Sequence, residues 1–256
     1  MLPLRDRLPT RRAPIVNYLL IGLNVLVFIW ERASLGAGIP GRALLSDWGL
    51  VPAHLLAYPA EGVVNVFTSM FMHDPHGWMH IAGNMLFLWI FGDNVEDALG
   101  RGRYLAFYLL SGIVAALAQV LIAPHSHVPM VGASGAIAGV LAAYGSLYPR
   151  SPITVLNPIP LLWLFFGLFF ELPAWVVILE FFVMNLISAF GTGAAMAGGG
   201  VAFFAHLGGF VAGLFLVRAF LRRAPRREHD RWGGFRSRPR KPPPGYYYPP
   251  HRPWDG

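Results

Sequence analysis

Six long apolar stretches constrain the fold of this sequence more than any other feature. A helix needs about 20 apolar residues to cross the hydrocarbon core of a bilayer, with a range of about 17–25. Only 13% of the residues are charged, about half the share in a typical soluble domain. The sequence therefore predicts an all-α polytopic membrane protein, a bundle of six transmembrane helices. The predicted spans cover residues 14–30, 78–95, 104–123, 130–148, 174–190 and 201–220.

Two apolar stretches carry residues that a spanning helix tolerates poorly. Pro158 and Pro160 interrupt the stretch 153–170, and too few residues remain before Glu171 to cross the bilayer. We interpret this stretch as an interfacial or packed segment. The fifth span contains Glu180, which must face the bundle interior because a charge near the bilayer centre costs about 2.5–3.5 kcal/mol. We expect both glutamates to have structural or interfacial roles.

The distribution of arginines predicts which helix ends face the cytoplasm, because cytoplasmic loops carry an excess of Lys and Arg. Four arginines precede the first span and four lie directly after the sixth, at residues 222–227, whereas the loops 124–129 and 191–200 carry neither Lys nor Arg. Both terminal segments are therefore expected on the cytoplasmic side, and the six-span form suits a bacterial inner membrane. We divide the chain into an N-terminal cytoplasmic segment (1–13), a membrane domain (14–221) and a cytoplasmic tail (222–256).

The tail holds the whole net charge of +7, since acidic and basic residues balance in the rest of the chain. It is rich in Pro, Arg and Tyr and has too few apolar residues to bury a core, so we expect it to be disordered. We interpret it as a segment that contacts anionic lipids, with docking of a protein partner as the alternative. We expect no nucleic-acid partner, because such proteins carry their basic surface on folded structure.

Four polar side chains within the predicted spans lie at similar depths below the outer membrane surface. In the predicted orientation, His80 and Asn84 lie two and six residues from the outer start of the second span. Ser134 is four residues into the fourth span, and His206 is five residues into the sixth. A rise of 1.5 Å per residue gives depths of about 3–9 Å. Because polar groups inside spans are functional candidates, this shared depth predicts a common site.

The residue types in this layer indicate nucleophilic catalysis. A serine hydroxyl is a weak nucleophile unless a base lies within hydrogen-bonding distance, and histidine is the usual base. Ser134 and His206 are candidates for this pair. The Gly-Ala-Ser-Gly sequence around Ser134 also offers backbone N–H groups at a helix start, where they lack partners in the helix. His80 and Asn84 share one helix face, and both can donate hydrogen bonds to a developing oxyanion.

Glycine pairs in the fourth and sixth spans support a structural interpretation as well. Gly135 and Gly139 have the Gly-x-x-x-Gly spacing that permits close helix packing in membranes, and so do Gly209 and Gly213. Each motif taken alone is explained by packing. The two interpretations are compatible, because close packing of these spans would bring the serine and the histidine together.

Histidines near the outer ends of the spans do not form a recognisable metal motif. His73, His76, His80, His125 and His127 lack the H-E-x-x-H spacing, and no acidic residue is suitably placed among them. We expect the loop histidines to be solvated, and we expect no metal and no cofactor. The sequence contains no cysteine, which excludes disulfides, zinc ribbons, iron–sulfur clusters and thiol catalysis.

Three motifs together resemble those of the rhomboid intramembrane serine proteases. They lie in the expected order on the second, fourth and sixth spans, within about residues 60–218. The motifs are His80-Ile-Ala-Gly-Asn84, Gly132-Ala-Ser134-Gly135 and Ala205-His206-Leu-Gly-Gly209. The resemblance implies a catalytic dyad of Ser134 and His206 without a third acid. It also implies an oxyanion site formed by His80, Asn84 and the backbone N–H of Ser134.

The resemblance implies further properties of the fold and the substrate. A water-filled cavity would open to the outer face, and the fifth span with the glycine-rich loop 191–200 would gate it. Substrates would be single-pass membrane proteins whose helix is locally unstable near the outer surface.

This sequence departs from the pattern of many rhomboids at two places. The residues 64–67 replace a Trp-Arg pair that many rhomboids carry, and Ala138 stands where some members stack an aromatic residue on the catalytic histidine.

Two other functions compete with proteolysis. A catalytically inactive rhomboid-like protein would bind and escort membrane proteins, but the presence of both Ser134 and His206 argues against it. A small transporter would carry polar groups near the bilayer midplane or an internal repeat. Glu180 favours transport, whereas the shallow polar layer does not. The predicted partners are therefore transmembrane protein substrates within the lipid bilayer.

Overall fold

Nine helices and three strands make up the part of the chain that the computed structural model describes, which is residues 2–157, 167–191 and 203–221. Pro158, Pro160, the tail 222–256 and most of the predicted gating loop, from residue 192, lie outside the described residues. The helices are α1 (Ile15–Gly36), α2 (Gly41–Trp48), α3 (Pro52–Ala57), α4 (Pro59–Thr68), α5 (Trp78–Leu99), α6 (Arg101–Ile122), α7 (Ser134–Leu147), α8 (Ala174–Gly191) and α9 (Phe203–Phe220). The strands are β1 (Leu2–Asp6), β2 (Pro152–Leu156) and β3 (Phe169–Pro173).

The six longer helices, α1 and α5 to α9, coincide with the six predicted spans. Three of them, α1, α6 and α9, are long and apolar enough to cross a membrane by their length and composition. Shorter apolar helices are α7 and the Ala174–Met184 part of α8. The predicted all-α membrane bundle is thus the fold of this chain. Several boundaries differ. Helix α1 continues to Gly36 and so includes Glu31 and Arg32, α5 continues to Leu99, and α7 begins at Ser134, four residues after the predicted start of its span.

Large apolar side chains on the outer faces of the bundle are exposed. Leu26 on α1 is 66% exposed, Leu121 on α6 is 79% exposed, and Phe215 on α9 is 71% exposed. Soluble monomers rarely expose large continuous apolar surfaces, whereas lipid tails are as apolar as leucine and can surround such side chains. The outer faces therefore fit contact with a bilayer.

Helix α7 lies at the centre of the bundle and contacts α5, α6, α8 and α9. All its residues from Gly135 to Tyr144 are buried. Four of these ten residues are alanine and two are glycine, so neighbouring helices can approach the α7 backbone closely. Packing against these four helices therefore fixes the position of α7 and, with it, of Ser134 at its first residue.

Helices α7 and α9 meet backbone to backbone. A side chain at Gly209 would collide with the carbonyl oxygen of Gly135, and one at Gly213 would collide with the carbonyl oxygen of Gly139. Glycine has no side chain, so glycine at both positions permits this close approach, as in Gly-x-x-x-Gly contacts in membranes. The contact lies one residue from Ser134 along α7, so it places the start of α7 beside α9.

A small antiparallel sheet covers one end of the bundle, and the sequence analysis predicted none of its strands. Leu2 of β1 pairs with Leu156 of β2, and the ladder is irregular between Pro3 and Arg5. Strand β3 pairs along the other edge of β2, so the order is β1-β2-β3. The packed segment predicted for residues 153–170 therefore contributes most of one strand and the start of another.

This sheet is attached to the helix ends that lie far from Ser134. The carboxylate of Asp6 accepts hydrogen bonds from the Tyr144 hydroxyl at 2.9 Å and from Asn94 Nδ2 at 2.8 Å. Tyr144 is ten residues after Ser134 on α7, which corresponds to about 15 Å along the helix axis. The sheet and Ser134 therefore lie at opposite ends of the bundle.

A buried carboxylate joins α1 to α5 near the same end. Glu96 accepts hydrogen bonds from the backbone N–H groups of Val16 at 3.2 Å and Asn17 at 2.7 Å. These groups belong to the first turn of α1, where N–H groups lack partners within the helix. A negative charge there also interacts favourably with the helix dipole. The start of α1 is thereby held against α5.

Replacing Gly209 with alanine should separate α7 from α9. The added methyl group meets a backbone carbonyl that cannot move independently, so we expect a loss of about 1–3 kcal/mol in stability and a lower Tm in detergent micelles. Gly22 on α1 provides the matched control, because nothing lies within 4 Å of the position that its side chain would occupy. An equal Tm for Gly209→Ala and Gly22→Ala would contradict the packing argument.

Candidate active site

Ser134 and His206 form a hydrogen bond across the contact between α7 and α9. The distance from His206 Nε2 to Ser134 Oγ is 2.7 Å. Ser134 is the first residue of α7, and His206 is the fourth residue of α9, three residues before Gly209. His206 is buried, whereas Ser134 is partly exposed. An imidazole nitrogen at this distance can accept the proton of the hydroxyl group, which raises the nucleophilicity of the oxygen.

His80 approaches the same serine from α5, next to Gly132. A Cβ atom added to Gly132 would lie 3.0 Å from His80 Nε2 and 3.5 Å from Ser134 Oγ. Gly132 has a φ angle of +126°, a conformation that favours glycine. Its N–H donates to the Ser69 carbonyl oxygen at 2.9 Å. The turn before α7 therefore needs glycine for both its backbone conformation and the approach of the imidazole.

Asn84 lies one helical turn after His80 and is buried. Its side-chain nitrogen is 3.0 Å from Nε2 of His73. His73 lies in the segment between α4 and α5, and its ring centroid is 5.1 Å from that of His80. The described residues thus place a second buried imidazole beside the predicted oxyanion residues.

One cavity of about 690 Å³ joins these groups. His80, Asn84, Ser134 and His206, the four polar residues predicted from the sequence, all line it. Ser134 starts a helix, so its backbone N–H and that of Gly135 belong to the group of N–H donors that lack partners within the helix. The cavity therefore combines a hydroxyl–imidazole pair with several hydrogen-bond donors, an arrangement suited to acyl transfer.

The surroundings of His206 differ from the aromatic stacking found in some rhomboids. Ala138, one helical turn after Ser134, is fully buried and contributes only a methyl group. A phenyl ring reaches the histidine from α8 instead, because the ring centroids of Phe181 and His206 lie 6.2 Å apart with their planes tilted by 41°. Sequence analysis did not identify Phe181, since its position relative to His206 depends on how α8 packs.

The expectation that loop histidines are solvated is wrong for His73. This side chain is fully buried, and burial lowers the pKa of His73 from 6.5 to about 4. The expectation is confirmed for His76, His125 and His127, which are exposed. No group of three potential metal ligands comes together in the described part of the chain.

A buried acid that sequence analysis missed supports the segment containing His73. Glu31 is fully buried, and its Oε1 accepts a hydrogen bond from the His73 backbone N–H at 2.9 Å. In the sequence, the sign of this role is that an acidic residue directly follows the predicted end of the first span.

Glu171 and Glu180 were expected to have structural or interfacial roles. Glu171 forms an ion pair with Arg7, and Glu180 is partly exposed on α8.

Gly132→Ala should lower the reactivity of Ser134 toward an electrophilic serine reagent. The methyl group must displace the His80 ring or the turn before α7, and a displacement of about 1 Å in such a site can cost about a hundredfold in rate. Gly38→Ala is the matched control, because Gly38 also has a positive φ angle, +88°, but faces open space. Equal reactivity of Ser134 in the two variants and the unsubstituted protein would refute this role of Gly132.

Comparison with known proteins identifies a family and several relatives of this chain. The rhomboid domain family matches residues 60–223. The Saccharomyces cerevisiae protein named Rhomboid protein 1, mitochondrial, is 28% identical over 205 residues, covering 77% of this chain and 51% of that protein. Rhomboid protease GluP of Bacillus subtilis is 34% identical over 130 residues, covering 51% of this chain and 24% of that protein.

A human protein is also similar to this chain in sequence. The presenilin-associated rhomboid-like protein, mitochondrial, of Homo sapiens is 30% identical over 141 residues, covering 54% of this chain and 34% of that protein. The chain thus spans about half or less of the length of these relatives. The rhomboid domain match covers more than half of this chain and includes every polar residue predicted to line the cavity. This chain therefore belongs to the rhomboid family of membrane proteins.

Proposed function

We propose that this chain is an intramembrane serine endopeptidase that cleaves transmembrane segments of single-pass membrane proteins near the outer membrane surface. The observation that carries the proposal is the 2.7 Å contact between Ser134 Oγ and His206 Nε2 at the wall of a cavity. The similarity to a Bacillus subtilis protein named as a rhomboid protease supports this activity. The pair acts as a catalytic dyad.

Acylation begins when the Ser134 oxygen attacks the carbonyl carbon of the scissile peptide bond. His206 Nε2 takes the hydroxyl proton as the new C–O bond forms, and the carbonyl oxygen becomes an oxyanion. Collapse of this tetrahedral intermediate breaks the C–N bond. The imidazolium donates this proton to the leaving amine, and an acyl ester remains on Ser134.

Deacylation repeats these proton transfers with water in place of serine. His206 accepts a proton from a water molecule, whose oxygen attacks the ester carbon. The second tetrahedral intermediate collapses and breaks the bond to Ser134, and the imidazolium returns the proton to the serine oxygen. Water must reach the site, and the hydrocarbon core of a bilayer holds none. A cavity at the end of the bundle that is remote from the sheet fits this requirement.

Stabilisation of the oxyanion is the role of His80, Asn84 and the backbone N–H of Ser134. Hydrogen-bond donors that are already aimed at the developing charge need no reorganisation during the reaction, and loss of one such donor in a serine protease costs about 10²–10³ in rate. His80 and Asn84 are well suited, because rigid packing of α5 holds both at the cavity wall.

Substrate choice follows from the backbone chemistry of membrane helices. Every peptide group of a transmembrane helix is hydrogen-bonded within the helix, so a protease must first unwind it. Residues that weaken a helix, such as glycine, lower this cost. The substrates are therefore transmembrane segments with a weak helix near the cut, and α8 with the loop that follows it gates their entry.

The protein spans a membrane, and we propose the bacterial inner membrane, with residues 1–13 and the tail 222–256 in the cytoplasm. The arginine distribution supports this orientation. The names of two relatives refer to mitochondria, which makes an organelle membrane the alternative. The basic tail contacts anionic lipids on the cytoplasmic side.

Cleavage of a transmembrane substrate in liposomes tests the proposal. Ser134→Ala and His206→Ala should each reduce kcat by at least about a thousandfold, since loss of either member of such a pair removes the nucleophilic mechanism. Ser146→Ala and His76→Ala are matched controls, because both residues are exposed and neither lines the cavity. They should cleave at the unsubstituted rate. Folded protein that binds the substrate without cleaving it would overturn the proposal and favour escort of membrane proteins.

A further inference from the structure

His73 contacts Asn84 from behind the cavity wall. Asn84 lines the cavity, whereas His73 is not among the described residues that do. The imidazole is fully buried and lies between two polar groups. Its Nε2 is 3.0 Å from Asn84 Nδ2, and its Nδ1 is 3.3 Å from the carbonyl oxygen of Phe71. The hydrogen bond to Asn84 connects His73 to the cavity, and the His73 ring also lies 5.1 Å from the ring of His80, which lines the same cavity.

These two contacts determine which nitrogen of the His73 ring carries the proton. A carbonyl oxygen can only accept a hydrogen bond, so the contact with Phe71 requires a proton on Nδ1. The low pKa of His73, about 4, keeps the ring neutral at pH 7. A neutral imidazole has one donor and one acceptor nitrogen. Nε2 is therefore the acceptor.

An acceptor at Nε2 determines the orientation of the Asn84 amide. The amide group has two hydrogens on Nδ2 and none on Oδ1. If the amide were rotated by 180°, Oδ1 would face the lone pair of Nε2, and two acceptors would repel each other. The hydrogen bond therefore holds Nδ2 toward His73, and Nδ2 keeps a second hydrogen that it can donate to another acceptor.

The first helix of the bundle holds His73 in this position. The Glu31 carboxylate accepts from the His73 backbone N–H at 2.9 Å, and its other oxygen is buried without a hydrogen bond. The adjacent Arg32 donates from Nη1 to the Pro75 carbonyl oxygen at 3.0 Å and lies 5.4 Å from the Trp78 ring centroid. Two neighbouring polar residues of α1 thus anchor the backbone on both sides of the turn before α5.

We propose that His73 is a positioning residue that orients the Asn84 amide so that its second N–H is available to the oxyanion. This inference rests on the proposed protease function and deepens it. Neutral His73 acts only as an acceptor for Asn84 and makes no contact with substrate. Its function is to prevent the amide from presenting Oδ1, an acceptor, where the negative charge develops.

A double-mutant cycle between His73 and Asn84 tests this coupling. His73→Leu should lower kcat about 10–100-fold, below the cost of losing a donor completely, with KM changed less than about twofold because substrate binding is not altered. In an Asn84→Ala background the same substitution should cost less than about threefold, because the amide that His73 orients is gone. Equal losses in the two backgrounds would overturn the proposal.

Two further variants separate positioning from a structural role of the buried ring. His73→Gln should recover most of the kcat, since a glutamine amide can donate to Phe71 and accept from Asn84. His76→Leu should match the unsubstituted protein, because His76 is an exposed histidine of the same segment. Failure of glutamine to recover kcat in a variant with a normal Tm would contradict the proposal.

Histidine ring tautomers provide a test that needs no catalytic activity. In protein labelled with ¹⁵N-histidine, the signals that disappear in His73→Gln belong to His73. At pH 7 we expect a protonated Nδ1 and an unprotonated Nε2. A proton on Nε2 would overturn the inference whether or not the protein cleaves. Conversely, a protein that shows the expected tautomer but cleaves no substrate would support the inferred orientation of Asn84. That result would refute only the protease function.

Discussion

The backbone contact between α7 and α9 is the interaction on which the rest of the structure depends. Lipid tails are as apolar as leucine, so helices in a bilayer gain little from burying apolar side chains and associate through close packing. Gly135 and Gly209 remove the side chains that would separate the two backbones. Ser134 precedes one of these glycines, and His206 lies one turn before the other. The distance between hydroxyl and imidazole is therefore a consequence of helix packing.

Small residues of α6 complete this contact. Side chains built on Gly135, Gly139 and Gly208 would meet Ala115, Ser111 and Ala118, respectively. These α6 residues recur at spacings of four and three, so they form one face of the helix. A third helix thus closes against α7 and α9 along the same line, which explains how a partly exposed serine can have a fixed position in a membrane protein.

Polar residues connect α1 to both ends of the bundle. Glu96 accepts the N–H groups at the start of α1, near the sheet. Glu31, near the other end of α1, accepts the N–H of His73 beside the cavity. Unpaired backbone groups are costly in apolar surroundings, so each carboxylate stabilises the helix or loop that it caps. The first helix contributes neither Ser134 nor His206 but supports the segment that leads to His80.

The helices and the polar layer could be predicted from the sequence because both depend on local pattern. Apolar runs indicate the helices, and the positions of Ser134 and His206 within their runs indicate a common depth. The sheet could not be predicted in this way, since β1 and β2 are about 150 residues apart and their pairing depends on the fold. The burial of His73 was missed for a similar reason, because the acid that anchors it lies 42 residues earlier, on another helix.

The most direct test of the central claim is the site of covalent labelling by a fluorophosphonate. Only an activated serine reacts readily with such a reagent, so peptide mass spectrometry after labelling in liposomes should find the adduct on Ser134 and no adduct in His206→Ala protein. Absence of an adduct on Ser134 in folded, unsubstituted protein, or equal labelling in the histidine variant, would contradict the claim that His206 activates this serine.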